Sequence, residues 1–152
     1  MHTTMQRRII PDVVKDQSIH ALPLDGTALE AAKLMTNRDV GAVLVVERDG
    51  RLAGIVTERD ITRRIVAAGL DPKKTTVSEI MTHNPDTISP DDFGVEALEI
   101  MRVRRYRHLP VTVDGKAVAM VSVRDLYEVM KDELETDIRE TEAFVFGDRY
   151  GA

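Results

Sequence analysis

Two four-residue strings put a hydroxyl three positions ahead of a carboxylate: Thr57-Glu58-Arg59-Asp60 and Ser122-Val123-Arg124-Asp125. Each follows an apolar run, and the pattern predicts that each opens a helix. There it has two uses. The hydroxyl can accept from the backbone N–H three residues on while the acid reaches back, a variant of the capping box. The same helix end offers unpaired N–H groups and the positive pole of the helix dipole, which favour a phosphate. Spacing alone leaves both open. A third feature is a run of bases, Arg102, Arg104, Arg105, Arg107 and His108. Cations suit a helix C-terminus, which accounts for Arg102 and Arg104. Arg107 and His108 lead straight into a predicted strand, and that explanation fits them less well.

Catalytic chemistry finds little to use. The chain has no Cys, which removes thiolate nucleophiles, disulfides, Cys-ligated zinc and iron–sulfur clusters. His2, His20, His83 and His108 show no metal-ligand spacing, so no metal is expected. There is no G-x-x-x-x-G-K-[ST] loop, no G-x-G-x-x-G after a strand, no H-E-x-x-H and no G-x-S-x-G. Asp91-Asp92 sits at a helix start, where the dipole explains it. The chain is not expected to be an enzyme.

The elements that must position these residues occur twice. Glu30-Ala31-Ala32-Lys33-Leu34-Met35 matches Glu96-Ala97-Leu98-Glu99-Ile100-Met101 at an offset of 66, and Val56-Thr57-Glu58-Arg59-Asp60 matches Val121-Ser122-Val123-Arg124-Asp125 at 65. One extra residue therefore lies near Glu47 and Arg48 in the first copy. Leu29, Ala32 and Met35, like Val95, Leu98 and Met101, fall at helical spacing. Strands are predicted at 42–46 and 109–113, each followed by an Asp-Gly hairpin signal and a return strand at 52–56 or 117–121. Second helices are expected over 58–68 and 123–131, with Gly69 as a left-handed cap. Short leading strands are expected at 19–22 and 86–89, stopped by Pro23 and Pro90. The fold class is α+β: two tandem β-α-β-β-α repeats packed about a pseudo-two-fold axis. The divisions are 8–70, 76–131 and a helical tail at 132–152, with 71–75 as linker.

Composition bounds the partners. Of 152 residues, 43% are hydrophobic and 31% charged, enough for a globular core. Lys plus Arg is 21 against 26 Asp plus Glu, a net charge of -5, which argues against nucleic-acid binding. With aromatics at 4% and no Trp, a base-stacking platform is not expected either. No apolar run is longer than 42–46, far short of the roughly 20 residues a membrane helix needs. No secretion signal is read at the start. The expectation is a cytoplasmic protein with no membrane partner.

In order and spacing the chain resembles a pair of CBS domains, the two-repeat arrangement called a Bateman module. The resemblance is carried by Gly54-Ile55-Val56-Thr57-Glu58-Arg59-Asp60, Val77-Ser78-Glu79-Ile80-Met81-Thr82, Tyr106-Arg107-His108-Leu109-Pro110-Val111 and Val121-Ser122-Val123-Arg124-Asp125. It covers about residue 9 to 131, and no attached catalytic or DNA-binding domain is visible. It implies binding of an adenosine compound: AMP, ADP, ATP, sometimes NAD or S-adenosylmethionine. Thr57 and Asp60, and in the second repeat Ser122 and Asp125, match the family's ligand pattern. The hydroxyl would donate to a phosphate oxygen and the carboxylate would accept from the ribose hydroxyls, as an acid does in dinucleotide folds. Arg107 and His108 would approach the phosphates bound at the first repeat's Thr/Asp site. Adenine would rest against the leading strands, which places Ile19, His20 and Ile88 in the binding set.

The repeats are not equivalent. Asp39-Val40-Gly41-Ala42 stands where the second repeat has its bases, so the clefts should differ in phosphate preference. Ala119 replaces the family's glycine; its methyl either narrows the second cleft or is simply buried in a strand. The resemblance further implies a homodimer and a regulated partner protein, with a ligand-free dimerisation scaffold as the alternative. Beyond the second repeat, Leu126, Met130, Leu134 and Ile138 recur every four residues along one helix face, opposite a largely acidic one. With Ala143-Phe144-Val145-Phe146 they would be a costly exposed patch, and the tail is expected to pack across a dimer rather than back on its own chain.

Overall fold

The computed structural model describes residues 7–15 and 19–146, with side chains to Ala143. The first repeat opens with β1 (Ala21–Pro23) and α1 (Ala28–Arg38). Thr27 caps α1 by accepting from the Glu30 N–H at 3.1 Å, and Ala28, Ala31 and Met35 form its buried face. β2 (Ala42–Val46) is apolar throughout and almost wholly buried. It runs parallel to β1 and antiparallel to β3 (Leu52–Thr57). The β2–β3 turn uses Gly50 at φ +89°, a conformation glycine adopts without steric cost. Helix α2 starts as Glu58–Asp60 and continues as a π-helical segment, Ile61–Val66.

After the linker come α3 (Val77–Ile80) and β4 (Thr82–His83), a strand too short to have been expected. β4 pairs with β3, completing a sheet in the order β1-β2-β3-β4. The second repeat has α4 (Gly94–Arg104), the hairpin β5 (His108–Val113) and β6 (Lys116–Ser122), and α5 (Val123–Phe146). Its expected leading strand at 86–89 is reduced to one parallel bridge, Ile88 to Val111. Pro90 and the Asp92 carboxylate, which accepts from the Ser89 N–H at 2.9 Å, turn the chain there before a ladder can form.

The two halves exchange their leading segments. Ile9 and Val14 are buried with Ala97, Met101, Leu109 and Val121 of the second repeat. Val77, Ile80 and Met81 are buried with Ala31, Met35, Val43 and Val56 of the first. The backbone follows suit: Ile9 N–H donates to Asp92 O at 2.8 Å, and Val77 N–H to Gly26 O at 2.7 Å. Division along the chain and division by packing therefore differ. A further cluster, Ala42, Leu44 and Ile55 with Ala117 and Met120 against it, joins the repeats. Matched contacts express the pseudo-two-fold relation: Leu52 N–H to Gly115 O at 3.0 Å and Ala117 N–H to Gly50 O at 3.1 Å.

One pair of core positions explains a departure between the repeats. Gly54 faces Val45 in β2, and Ala119 faces Val111 in β5, so the two are equivalent. A Cβ on Gly54 would collide with Met81 Sδ and lie 2.7 Å from Thr82 O. In the second core the corresponding leading segment ends in the smaller Val14, and Ala119 is 2% exposed. The Ala119 methyl belongs to the core. Gly54→Ala should destabilise the protein by about 1–3 kcal/mol, the usual cost of overpacking, and adding Met81→Val should recover part of it. Chemical denaturation measures both; an unchanged midpoint in Gly54→Ala would refute the packing account.

Candidate functional site

Both hydroxyl–carboxylate strings open helices as capping boxes. Thr57 N–H donates to Asp60 Oδ2 at 2.8 Å, and Asp60 N–H donates to Thr57 Oγ1 at 3.2 Å. The second repeat repeats the geometry at 2.8 Å and 3.1 Å between Ser122 and Asp125. Each helix start is also tied to the strand entering the hairpin. Glu58 N–H donates to Gly41 O at 3.0 Å, and Val123 N–H to Arg107 O at 2.9 Å. These bonds bring Gly41 beside the first cap and Arg107 beside the second.

A cavity of about 430 Å³ lies at the first cap, within the size range of small-molecule sites. It brings together Thr57, Asp60, Arg107 and His108. Arg104 does more than sit at a helix end. It lines this cavity and pairs with Asp86 at 3.0 Å, while Arg102 pairs with Glu99 outside it. The carboxylate of Asp60 is divided: Oδ2 serves the cap, and Oδ1 lies 3.7 Å from Arg64 Nε. The single hydroxyl hydrogen of Thr57 goes to Asp60 Oδ2 at 3.1 Å, so donation to a phosphate would compete with that bond.

A second cavity, about 530 Å³, lies at the Ser122/Asp125 cap and includes Asp39, Met120 and Arg124. Gly41, Glu58, Arg107 and His108 line both cavities, so Arg107 and His108 form a shared wall rather than belonging to the first cleft alone. The charges differ on the two sides. The first cavity has four arginines against three carboxylates; the second has two against three.

Ile19, His20 and Ile88 line neither of these two cavities. Ile88 is 3% exposed in the second core. Ile19 is exposed, and His20 O accepts from the Leu44 N–H at 2.9 Å. The segment that reaches the first cavity from this side is instead Thr82 and Pro85, just ahead of the expected strand, with Asp86, its first residue. Arg59 and Tyr106 also line it without having been singled out. Arg59 could have been found, since it lies inside the Thr57–Asp60 string. Nothing in the sequence marked Pro85, whose place depends on the turn into the second repeat. Among the described residues no group of three or more His, Asp or Glu is placed to hold a metal. Among them, too, no helix is long and apolar enough to cross a membrane.

With fold and clefts defined, the chain can be placed by comparison. A family model for the CBS domain matches residues 5–67 and 77–132. The chain belongs to the CBS domain family and carries two copies of the domain. It is 39% identical over 105 residues to the CBS domain-containing protein CBSCBSPB2 of Arabidopsis thaliana, which covers 68% of this chain. The chain spans 20% of that relative's length. A CBS-domain protein from Burkholderia ambifaria superposes with a TM-score of 0.73 at 35% identity, covering 78% of this chain and 90% of its own. One from Pyrobaculum aerophilum, solved with AMP, superposes at 0.74 and 30% identity, covering 85% and 98%.

His108 reports on the shared wall. Its ring stands against Gly41, where an added Cβ would lie 3.1 Å from Cε1. Burial pushes its pKa below the usual imidazole value; nearby Asp125 and Glu58 pull it up, and Arg107 pushes it further down. A histidine with a lowered folded pKa binds fewer protons folded than unfolded. It therefore costs no stability at pH well above about 6.5, and the penalty grows as pH falls from there towards the folded pKa. Acidification from neutral pH should lower the melting temperature of the ligand-free protein more than that of His108→Asn. Parallel curves would show that His108 does not titrate in this way.

Proposed function

We propose that the protein is a regulatory module that binds an adenine nucleotide, of the AMP, ADP, ATP or NAD class, between its repeats and thereby alters the affinity for a partner protein. The observation that carries this reading is the first cavity, where a cap acid with one oxygen outside the cap meets guanidinium groups from the other repeat. The AMP complex of the Pyrobaculum aerophilum protein supports it. Asp60 would accept from the ribose hydroxyls, and Arg107 with the start of α2 would meet phosphate. Ser122 and Asp125 would serve the second cleft in the same way. Ile19, His20 and Ile88 would act on adenine through the leading segments rather than from the walls of the two cavities. The repeats are divided as 8–70 and 76–131, followed by a tail at 132–152. No catalysis is assigned, and the cysteine-free chain fits the cytoplasm. A ligand acts by favouring one packing of the repeats over another, to the extent that it binds the two differently.

The module is proposed to act as a homodimer, and α5 supports this. Leu126 is fully buried in its own chain, but along the same helix Met130, Leu134 and Ile138 are 38%, 60% and 55% exposed. The expected single face thus divides after its first residue, and the outer part has no cover within the described residues. Phe144, Val145 and Phe146 lie outside the described side chains. A dimeric scaffold without ligand is the second reading, because the caps already give Thr57 and Ser122 a structural role.

Two experiments separate these readings. AMP, ATP and NAD are titrated while thermal unfolding is followed, because a ligand of the folded state must raise the melting temperature. Asp60→Asn keeps an oxygen for the Thr57 N–H but loses the charge. It should melt close to wild type and bind AMP more weakly by roughly tenfold or more, on the order of 1.5–3 kcal/mol for a hydrogen bond to a charged group. If none of the three ligands shifts the melting point, the scaffold reading stands. For the dimer, Leu134→Asp with Ile138→Asp should move the protein towards monomer in sedimentation while leaving each chain folded. A variant as dimeric as wild type would remove α5 from the interface.

A further inference from the structure

The first cleft has four arginines against three carboxylates, and most of these arginines have no ion pair of their own. Arg59, Arg105 and Arg107 line it, and none of them has a carboxylate within ion-pair distance among the described residues. They come from three elements: the first turn of α2, the residue that ends α4, and the approach to β5. Three guanidinium groups thus converge on one cavity in a chain whose net charge is -5. Arg107 is shared with the second cleft, but Arg59 and Arg105 are not.

The matching position in the first repeat sharpens the contrast. Asp39 and Arg105 each end the first helix of their repeat in left-handed backbone, at φ +53° and +61°. That conformation favours Gly, Asn and Asp among residue types, so the backbone gives no reason for arginine at 105. Asp39 lines the second cavity and Arg105 the first. The same turn therefore delivers an acid to one cleft and a base to the other.

We infer that the first cleft selects nucleoside di- and triphosphates over monophosphates, with Arg59 and Arg105 as the specificity-determining residues that meet the phosphates beyond the first. This rests on the reading of the cleft as a nucleotide site and adds which nucleotide it takes. Guanidinium groups suit the role because they stay charged and offer forked donors to phosphate oxygens. The second cleft, with more acids than arginines, disfavours the same ligands.

The test is calorimetric titration of the full chain with AMP, ADP and ATP in magnesium-free buffer, for wild type and for Arg59→Gln with Arg105→Gln. Wild type should bind ATP about tenfold or more tightly than AMP, as expected where charge-assisted contacts are added. The double variant should bring the two affinities together while leaving that for AMP nearly unchanged, and the dependence of ATP binding on salt should fall with it. Both side chains are exposed, so its melting temperature should match wild type, which separates loss of contact from loss of fold. If AMP binds as tightly as ATP, or if the ATP preference survives the double substitution, the inference is wrong and nucleotide binding stands. If none of the three nucleotides binds, the nucleotide reading itself falls and this inference falls with it.

Discussion

Neither repeat can close its own core. Ile9 and Val14 lie in the second core, Val77, Ile80 and Met81 in the first, and each is all but inaccessible. Burying an aliphatic side chain of this size is worth about 1.5–3 kcal/mol, so each half draws a substantial part of its stability from a segment that precedes the other. This interlock ties the folding of the halves together. It also sets the chain entering each repeat alongside the other repeat's sheet, which is how β4 joins β3 and how Pro85 and Asp86 reach the first cavity. The clefts are a consequence: each is lined by residues of both halves.

Within that frame the cap acid has two oxygens and two potential tasks. Asp60 Oδ2 holds the helix start, and only Oδ1 is left to turn towards a ligand. The structural and binding explanations of the Thr-x-x-Asp string are therefore not rivals, since the carboxylate can serve both. The hydroxyl cannot, because its one hydrogen has a single destination at a time. If a phosphate arrives, Thr57 must exchange its bond to Asp60 for one to the ligand, and the gain is the difference between the two rather than a whole hydrogen bond.

Much of this was legible in the sequence because the relevant signals are local. The hairpin turns and both capping strings rest on residues at most a few positions apart, the duplication shows as short matched strings at a near-constant offset, and the four-residue spacing of Leu126, Met130 and Leu134 announced one long helix. Signals that depend on distant partners were not legible. Whether Ala119 narrowed a cleft or filled a core turned on Val14, which lies far away in the chain. A strand of two residues such as β4 has no periodicity to read. Arg107 was assignable to one cleft from sequence, yet it sits on the wall between two, because Val123 N–H pins its carbonyl while the neighbouring His108 packs on Gly41.

The two clefts show what duplication keeps and what it frees. Both repeats hold the cap, the bond from the helix start to the incoming strand, the left-handed residue after the first helix and the hairpin, all of which folding requires. The side chains that project from this common scaffold are not constrained in the same way. At a left-handed residue the backbone is fixed while the side chain points away from the core, so aspartate in one copy and arginine in the other cost the fold little. In a cavity partly shielded from water, that exchange of sign changes the local potential far more than it would on an open surface. One scaffold can thus present two clefts of unlike charge, joined through a wall that contains Arg107 and His108.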